Sequence, residues 1–238
     1  MKIALIGYGK MGKTIERIAH ERGHEIVCII DVDNTQTFDS EEFKCADIAI
    51  EFTSPNVAES NIRKCFGRGK PVVCGTTGWT DRLPALNTEI NEHGYTLFWS
   101  SNFSLGVNIF LEINRYLAKI MNDFPSYDVM LEEVHHTHKQ DAPSGTAISL
   151  AEIILQNIAR KTKWVRDAAK NPDEMAIFSI REGEVPGIHS VLYESAADSI
   201  MLTHDAKSRD GFALGAVVAA EFSLGKKGLL SMNDLLRF

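Results

Sequence analysis

Cysteine is scarce in this sequence, and its placement argues against two kinds of site. The 238 residues contain four cysteines, Cys28, Cys45, Cys65 and Cys74, all in the first third of the chain and none in a C-x-x-C pair. Zinc ribbons and thioredoxin-like redox centres both depend on closely spaced pairs. We therefore expect neither, and we interpret the four side chains as buried, reduced thiols.

Long apolar runs and an excess of positive charge are also missing. No stretch approaches the roughly 20 apolar residues of a membrane span, and the apolar start of the chain lacks the cleavage-site pattern of a signal peptide. We expect a cytoplasmic protein. The 25 Lys and Arg residues against 32 Asp and Glu residues give a net charge of −7. This charge disfavours a nucleic acid or an anionic membrane as partner, so local charge must attract any small anionic ligand.

A glycine turn near the N-terminus indicates a nucleotide site. The short apolar run Ile3–Ile6 ends in Gly7-Tyr8-Gly9-Lys10-Met11-Gly12, and apolar residues then recur at helical spacing. A strand, a G-x-G-x-x-G turn and a helix together favour dinucleotide binding, because the glycines let a pyrophosphate approach the backbone at the helix N-terminus. Asp31 follows a second apolar strand about 20 residues later, where such folds hold a ribose hydroxyl.

The residues around Asp31 bear on the choice between the two nicotinamide dinucleotides. Val32-Asp33-Asn34 follow Asp31 without an arginine that would accept a 2′-phosphate. This composition favours NADH. Lys10 and Lys13 lie next to the glycine turn and are within reach of a 2′-phosphate, so NADPH remains the alternative.

Strands and helices continue to alternate after Asp31. We predict strands at 48–52, 71–74 and 96–99 and helices at 57–66 and 82–92, a pattern that indicates a doubly wound parallel sheet. Two polar loops, Gly75-Thr76-Thr77 and Ser100-Ser101-Asn102-Phe103, directly follow predicted strands. Because such sheets bind ligands at the carboxyl ends of their strands, we expect both loops to line the nicotinamide and ribose end of the cofactor.

The rest of the chain predicts a second domain of a different class. A helix at 106–120, a strand at 127–134 and a helix at 146–155 precede three closely spaced strands at 175–181, 188–193 and 199–204, which we expect to pair antiparallel. An apolar helix at 212–222 is predicted to return to the first sheet. The fold class is thus α/β: a Rossmann-like domain, 1–106 with 214–238, and an α+β substrate and oligomerisation domain, 107–213, with an open mixed or antiparallel sheet.

Three histidines in four residues, His135, His136 and His138, begin a dense polar stretch. Imidazole is the commonest metal ligand, yet the spaced carboxylate or cysteine of zinc sites and the H-E-x-x-H geometry are absent here. We expect no metal. A metal-dependent hydrolase that uses these three imidazoles is kept as a rival hypothesis.

Lysine and a helix start complete this stretch and favour acid–base catalysis. Lys139 is a cation and proton donor, and Ser144-Gly145-Thr146 begins a helix whose free N–H groups suit a carboxylate. A dinucleotide domain joined to such a site predicts a reductase, in which the cofactor supplies hydride and the protein supplies a proton.

The same stretch carries a family resemblance. Residues 133–147 read E-V-H-H-T-H-K-Q-D-A-P-S-G-T-A and resemble the E-x-H-H-x-x-K-x-D-A-P-S-G-T-A signature of the 4-hydroxy-tetrahydrodipicolinate (dihydrodipicolinate) reductases. Further matches extend over nearly the whole chain: Gly75-Thr76-Thr77-Gly78, Asn102-Phe103-Ser104, Gly187, His189, Ser208-Arg209 and Gly228-Leu229. The resemblance implies reduction of a small dianionic dicarboxylate, 4-hydroxy-tetrahydrodipicolinate, to tetrahydrodipicolinate by NADH or NADPH, in the diaminopimelate route to lysine.

The resemblance also implies roles for individual residues. His135 resembles the family's general acid/base and Lys139 its second proton donor, while His136 resembles a substrate-binding residue and Gly145 with Thr146 a carboxylate clamp. The residues expected to line the cofactor are Gly7, Tyr8, Gly9, Lys10, Met11, Gly12, Asp31, Gly75, Thr76, Thr77, Ser100, Ser101, Asn102 and Phe103. A homotetramer joined through the sheets of the second domain is expected as well.

The sequence departs from the family pattern at several positions. Tyr8 and Lys10 stand where a small residue and arginine are more frequent, Ser100-Ser101 replace two alanines, the segment 32–47 is short, and Asp205 replaces a common arginine. These departures concern cofactor preference and local charge rather than the acid groups. A second rival, a nucleotide-sensing Rossmann protein without catalysis, is disfavoured because His135, Lys139 and the clamp residues are all present.

Overall fold

The chain folds as two compact units in the computed structural model, which describes residues 1–33 and 36–237. The first unit comprises Met1–Leu105 with Arg209–Phe238, and the second comprises Gly106–Ser208. Residues 209–213, which the sequence prediction assigned to the second domain, thus pack with the first unit. Asn34 and Phe238, included in the predictions for the cofactor site and the first domain, lie outside the described residues.

Eleven strands and eight helices form the described part of the chain. The strands are β1 (Lys2–Ile6), β2 (Glu25–Ile30), β3 (Ile48–Glu51), β4 (Val72–Cys74), β5 (Thr96–Trp99), β6 (Asp128–His135), β7 (Lys163–Arg166), β8 (Glu174–Arg181), β9 (Gly187–Glu194), β10 (Ser199–Ala206) and β11 (Gly228–Leu230). The helices are α1 (Lys10–Glu21), α2 (Glu41–Cys45), α3 (Pro55–Phe66), α4 (Leu83–His93), α5 (Leu105–Met121), α6 (Gly145–Asn157), α7 (Asp210–Ser223) and α8 (Met232–Leu236).

The first unit is built on a six-stranded parallel sheet in the order β11-β5-β4-β3-β1-β2. Its central strands are almost wholly apolar because helices cover both faces of the sheet. Ile3 and Leu5 pack with α1 and α7 on one face, whereas Ala4 and Ile6 pack with α3 and α4 on the other. The predicted doubly wound parallel sheet is confirmed.

The order of the strands reverses at β1, which lies between β3 and β2 although β2 follows it in sequence. Helices that leave the sheet on either side of this switch point diverge, so a crevice opens outside the carboxyl ends of the strands. The glycine turn after β1, Phe52 and Thr53 after β3, and residues 75–77 after β4 surround this crevice.

The second unit is built on a five-stranded sheet in the order β10-β9-β6-β8-β7. β10 and β9 pair antiparallel, as do β9 and β6, but β6 with β8 and β8 with β7 pair parallel. The expectation that the closely spaced strands all pair antiparallel is wrong for β8 and β9, because β6 lies between them. Strand β7 was not predicted. The mixed sheet itself agrees with the expected fold class.

Helices α5 and α6 cover one face of the second sheet. Their apolar residues, among them Phe110, Leu150 and Ile154, pack on inward-facing side chains such as Leu131 and Val191. Side chains alternate along β6, and the buried set ends with Glu133 and His135. The period of two residues in a strand therefore directs both of these polar side chains to the covered face.

The predicted return of the alanine-rich helix to the first sheet is confirmed. Ala213, Ala216 and Ala220 on α7 belong to the same core as Ile3 and Phe98. Gly215 allows a close approach, since a Cβ there would lie 1.7 Å from the carbonyl oxygen of Phe103. In the described residues, none of the helices has the length and apolar character needed to cross a bilayer.

The cysteines differ from one another in exposure. Cys28, Cys65 and Cys74 are buried, as expected for all four, but Cys45 is exposed at the end of the short helix α2. All four are free thiols.

Candidate active site

The glycine turn after β1 has a backbone that other residues do not readily adopt. Gly7 has φ +91°, and a Cβ there would lie 2.1 Å from the carbonyl oxygen of Phe52. Its amide donates to the carbonyl of Ile30 at 2.8 Å. At the end of β2 the Asp31 carboxylate accepts the amides of Tyr8 at 2.6 Å and Val32 at 2.7 Å. Asp31 thus connects the end of β2 to the turn.

A cavity of about 380 Å³ lies over the N-terminus of α1. Its lining residues are Gly9, Lys10, Met11, Gly12, Phe52, Thr53, Pro55, Gly75, Thr76 and Thr77. A Cβ built on Gly9 would meet no atom within 4 Å, so the backbone there borders open space. The first turn of α1 also contains no acidic residue. Exposed backbone at a helix N-terminus with no competing carboxylate fits the phosphates of a dinucleotide.

A buried carboxylate, Glu51 at the end of β3, organises the loop after β4. Glu51 has no exposed surface. It accepts hydrogen bonds from Thr76 Oγ1 at 2.7 Å, from Cys74 Sγ at 3.1 Å and from Thr53 Oγ1. Thr76 Oγ1 also accepts the amide of Thr53 at 2.8 Å. The predicted residue Thr76 is therefore fixed by its side chain while it borders the cavity.

The loop after β5 is not among the segments that line this cavity. Ser100 and Asn102 form a local turn, in which Ser100 Oγ accepts the Asn102 amide at 3.1 Å. Ser101 is exposed. Phe103 is 2% exposed, and its ring lies 5.7 Å from those of Phe52 and Phe98. Its side chain belongs to the core.

In the second unit, β6 carries His135 into a buried polar cluster. Nδ1 of His135 lies 3.4 Å from Oε2 of Glu133, and Nε2 of His189 lies 3.7 Å from the same oxygen. Nη2 of Arg181 is 3.2 Å from the other carboxylate oxygen. Glu133 has no exposed surface, and both imidazoles are buried.

The pKa values of Glu133, His135 and His189 in this cluster are all lowered. Burial raises the pKa of Glu133, but hydrogen bonds from Ser144, Ser179 and Arg181 outweigh it and leave the value below the ordinary one. Burial lowers the pKa of His135, although the Glu133 charge opposes that effect. Burial, followed by repulsion from His135, lowers the pKa of His189 to about 4. Near neutral pH the cluster thus combines an anionic carboxylate with a neutral His189.

The loop after β6 separates the other predicted residues. Lys139 Nζ forms an ion pair with Asp141 Oδ1 at 2.7 Å, and this hydrogen bond lowers the pKa of Asp141. His136 is half-buried and its Nδ1 has no partner among the described residues. His138 is 76% exposed and lies 3.2 Å from Glu184. His138 therefore does not share the buried cluster.

Helix α6 begins directly after this loop. The Ser144 side chain caps it by accepting the Ala147 amide at 3.3 Å, and the Ser144 amide donates to both Glu133 oxygens at 3.1 Å. A Cβ on Gly145 would meet no atom within 4 Å. The first turn contains no acidic residue. The amides of Gly145 and Thr146 thus start a 13-residue helix beside open space, which suits a carboxylate ligand.

The three imidazoles of the rival metal-site hypothesis, His135, His136 and His138, do not come together in the described residues. His135 and His136 follow one another on the chain, and His138 points to solvent, as described above. The metal-capable group found in the described residues is a different one, Glu133 with His135 and His189, whose ligand atoms lie within 4.8 Å of one another. Arg181 already lies against the carboxylate of that group, which disfavours a second cation there.

Glu51, Glu133, Arg181 and His189 were not assigned roles from the sequence. Glu133 could have been found, because it lies two residues before His135 on a predicted strand and so shares its face. Arg181 and His189 arrive from β8 and β9, and only the strand order brings them to β6. Glu51 ends a predicted strand, but its partners Cys74 and Thr76 are more than twenty residues away.

Together the sheet, the glycine turn and the buried imidazole cluster define a dinucleotide-binding protein with groups suited to acid–base chemistry. The chain belongs to the dihydrodipicolinate reductase family: the model for its N-terminus matches residues 1–103 and that for its C-terminus matches residues 106–236. It is therefore an enzyme of the oxidoreductase class, and a non-catalytic nucleotide sensor is not favoured.

Individual relatives agree with the family match. The 4-hydroxy-tetrahydrodipicolinate reductase of Christiangramia forsetii is 48% identical over 236 residues, covering 99% of this chain and 98% of the relative. The enzyme of the same name from Methanopyrus kandleri is 42% identical over 199 residues, covering 81% and 72%. A solved dipicolinate-bound dihydrodipicolinate reductase from Paenisporosarcina sp. TG-14 has the same fold, with a TM-score of 0.79 at 20% identity over 98% of each chain.

Proposed function

We propose that this protein reduces 4-hydroxy-tetrahydrodipicolinate to tetrahydrodipicolinate with a nicotinamide dinucleotide, in the diaminopimelate route to lysine. The names and coverage of the relatives support this reaction. The observation that carries it is the β6–α6 connection, where a buried His135 beside Glu133 precedes an open helix N-terminus by ten residues. Such a connection offers an acid and an anion site on one short segment, as a dicarboxylate substrate requires.

The first unit would hold the cofactor. Gly9, Lys10, Met11 and Gly12 would bind its phosphates through the backbone, and Gly75, Thr76 and Thr77 would border its other end. When bound, the reduced nicotinamide supplies a hydride. Glu51 would keep the 75–77 loop in place, because it binds both Thr76 and Thr53.

His135 and Lys139 are the proposed proton donors. The 4-hydroxyl group of the substrate leaves as water, the dehydrated ring accepts the hydride, and the anion that results needs one proton, which a positioned imidazolium or ammonium group provides. Asp141 holds the Lys139 ammonium at 2.7 Å, while Glu133 stabilises the protonated form of His135. Turnover then requires that each group regain its proton from solvent.

Gly145 and Thr146 would bind one substrate carboxylate. Two amides at the start of α6, the Thr146 hydroxyl and the positive end of the helix dipole all favour an anion at this position. His136, whose Nδ1 has no partner among the described residues, would contact another part of the substrate.

NADH is the proposed preferred cofactor. The Asp31 carboxylate, fixed by the amides of Tyr8 and Val32, suits a ribose hydroxyl and repels a 2′-phosphate. No arginine follows it in the sequence up to Arg63. Lys10 and Lys13 are the groups that would weaken this preference.

We further propose a cytoplasmic homotetramer joined through the second sheet. The face of that sheet opposite α5 and α6 carries Met130, Val134, Ile180, Leu192 and Met201, of which Ile180 is 40% and Met201 60% exposed in the single chain. Covering such a face on association is favourable. Light scattering of the purified protein tests this proposal: a monomeric mass would contradict it.

The reaction itself is tested by a coupled assay. The substrate is generated with the preceding synthase, and nicotinamide absorbance is followed with NADH and, separately, with NADPH. We expect oxidation with both and a higher kcat/KM with NADH. Assays without the synthase and after chelator treatment serve as controls. Absence of oxidation with either cofactor would refute the reaction, and loss of activity on chelation would favour a metal enzyme.

A further inference from the structure

We propose that Glu133 is the positioning residue for His135, and that it orients the imidazole so that Nε2 is the nitrogen that exchanges a proton with the substrate. The inference rests on the proposed role of His135. Neither the family resemblance nor the relatives' names assigns a role to Glu133.

The first observation concerns the Nδ1 edge of the imidazole. Nδ1 of His135 is buried and has no hydrogen-bond partner within normal length among the described residues. Oε2 of Glu133 lies 3.4 Å from it. A carboxylate at this distance favours a proton on Nδ1 and tightens its contact when the ring becomes charged, since such bonds often shorten only in the working complex. The proton on Nδ1 leaves Nε2 for the substrate.

The second observation concerns the opposite edge of the ring. Gly187, at the start of β9, lies so close that a Cβ there would be 2.9 Å from Nε2 and 3.3 Å from Cδ2 of His135. Any larger residue would crowd the nitrogen that we assign to proton transfer. One side of the imidazole thus faces a carboxylate, and the other faces a residue without a side chain.

The third observation is the support of Glu133 itself. The Ser144 amide donates to both of its oxygens, and Arg181 Nη2 lies 3.2 Å from Oε1. Arg181 also donates to the carbonyl oxygens of Lys139 at 3.3 Å and Asp141 at 2.5 Å. Arg181, which contacts the Glu133 carboxylate, therefore also holds the backbone of the loop that carries Lys139, so both proposed proton donors depend on one scaffold.

The charged and titratable groups that surround His135 come from several elements. Glu133 lies on the same strand, Lys139 and Asp141 lie on the following loop, Arg181 lies on β8, and His189 lies on β9. The Glu133 and Asp141 charges raise the pKa of His135, whereas burial and the Lys139 and Arg181 charges lower it. Removal of the Glu133 charge should therefore lower the pKa of His135 further.

The test compares Glu133→Gln with Glu152→Gln, which removes the same charge from an exposed position on α6. We expect Glu133→Gln to lower kcat about 100-fold, the low end of the general acid–base range, with a small change in KM and none in NADH affinity. Because His135 must be protonated to donate its proton, the alkaline limb of the kcat profile should move to lower pH. Glu152→Gln should behave as wild type.

Two further measurements separate positioning from a merely structural role. Imidazole NMR of the substrate-free protein should show His135 protonated at Nδ1 when neutral, with a lower pKa in Glu133→Gln. This readout needs no turnover, so it remains valid even if the proposed reaction fails. Glu133→Asp keeps the charge, so the pKa of His135 in this variant should stay closer to the wild-type value than it does in Glu133→Gln. It also covers the case in which Glu133→Gln does not fold.

Three results would overturn the proposal. The first is an unmoved His135 pKa in a folded Glu133→Gln protein, whatever its activity. The second is a neutral His135 protonated at Nε2 in the wild type. The third is a wild-type activity that chelators abolish and Zn²⁺ restores, since Glu133, His135 and His189 would then be metal ligands.

Discussion

Two buried glutamates, Glu51 in the first unit and Glu133 in the second, show how the same side chain can have different roles. Glu51 ends β3 in the first unit, and Glu133 lies near the end of β6 in the second; neither has exposed surface. The donors to Glu51 in the described residues are uncharged: Thr53, Asn61, Cys74 and Thr76. Glu133 instead lies against an arginine and two imidazoles.

The surroundings of each carboxylate determine what it can do. Neutral donors satisfy Glu51 and connect the ends of β3 and β4 with helix α3, so its effect is to order a loop. Its charge also adds to burial in raising the pKa of the Cys74 thiol well above the ordinary value, which keeps that donor protonated. The charge of Glu133 is directed at ionisable groups and can change their proton affinity. We therefore associate Glu51 with binding and Glu133 with proton transfer.

The largest expected effect lies on the Glu133 side of this comparison. His135→Ala or Lys139→Ala should lower kcat by about 10²- to 10⁴-fold, because each removes a proposed proton donor. NADH affinity, measured by fluorescence titration, should stay within about twofold, since both residues belong to the second unit. Wild-type turnover in both variants would refute the roles of these two residues.

Acid should lower the free energy of unfolding, because His189 in the buried polar cluster of the second unit then takes up a proton on unfolding. Its pKa is about 4 in the folded protein against an ordinary 6.5, so the unfolded chain binds this proton more readily between those pH values. Stability from the neutral ring is complete above pH 6.5 and is lost as pH falls towards 4, by roughly 3 kcal/mol. Urea unfolding at pH 7.5 and pH 4.5 measures the loss. In His189→Gln the loss of unfolding free energy between pH 7.5 and pH 4.5 should be smaller. A loss equal to that of the wild type would show that His189 does not cause it.

Glu51→Gln tests the other side of the comparison. The amide keeps the shape but offers one acceptor oxygen to several donors, so we expect a loss of about 2 kcal/mol in unfolding free energy. NADH affinity should fall several-fold as the 75–77 loop loosens. The pH profile of kcat should not move, unlike that of Glu133→Gln. Glu25→Gln, at an exposed position on β2, is the control, and a moved profile in Glu51→Gln would break the distinction.

The smallest expected effect concerns cofactor choice. Asp31→Asn removes the charge that disfavours a 2′-phosphate, so the NADPH to NADH ratio of kcat/KM should rise several-fold, a change of about 1 kcal/mol. Asp33→Asn, an exposed neighbour, should leave the ratio unchanged. Parallel assays with both cofactors measure it. An equal NADPH to NADH ratio of kcat/KM in wild type and Asp31→Asn would show that Asp31 does not determine the cofactor preference.

Local pattern was sufficient to predict much of this protein from sequence. The apolar runs and the glycine turn predicted β1, α1 and β2, because strand periodicity and the backbone requirement at Gly7 are properties of a few adjacent residues. The same is true of the β6–α6 connection, where His135, Lys139 and the start of α6 lie within eleven residues. That stretch also carried the family resemblance that the family models confirm.

What only the tertiary structure decided depends on strands distant in sequence. The placement of β6 between β8 and β9 was not predictable from their short connection, and it is this order that brings Arg181 and His189 to Glu133. In the same way, the pairing of β3 with β4 brings Cys74 and Thr76 to Glu51. Sequence determined which side chains could carry the chemistry. Strand order determined their neighbours, and the energy of a buried charge depends on those neighbours rather than on the residue type.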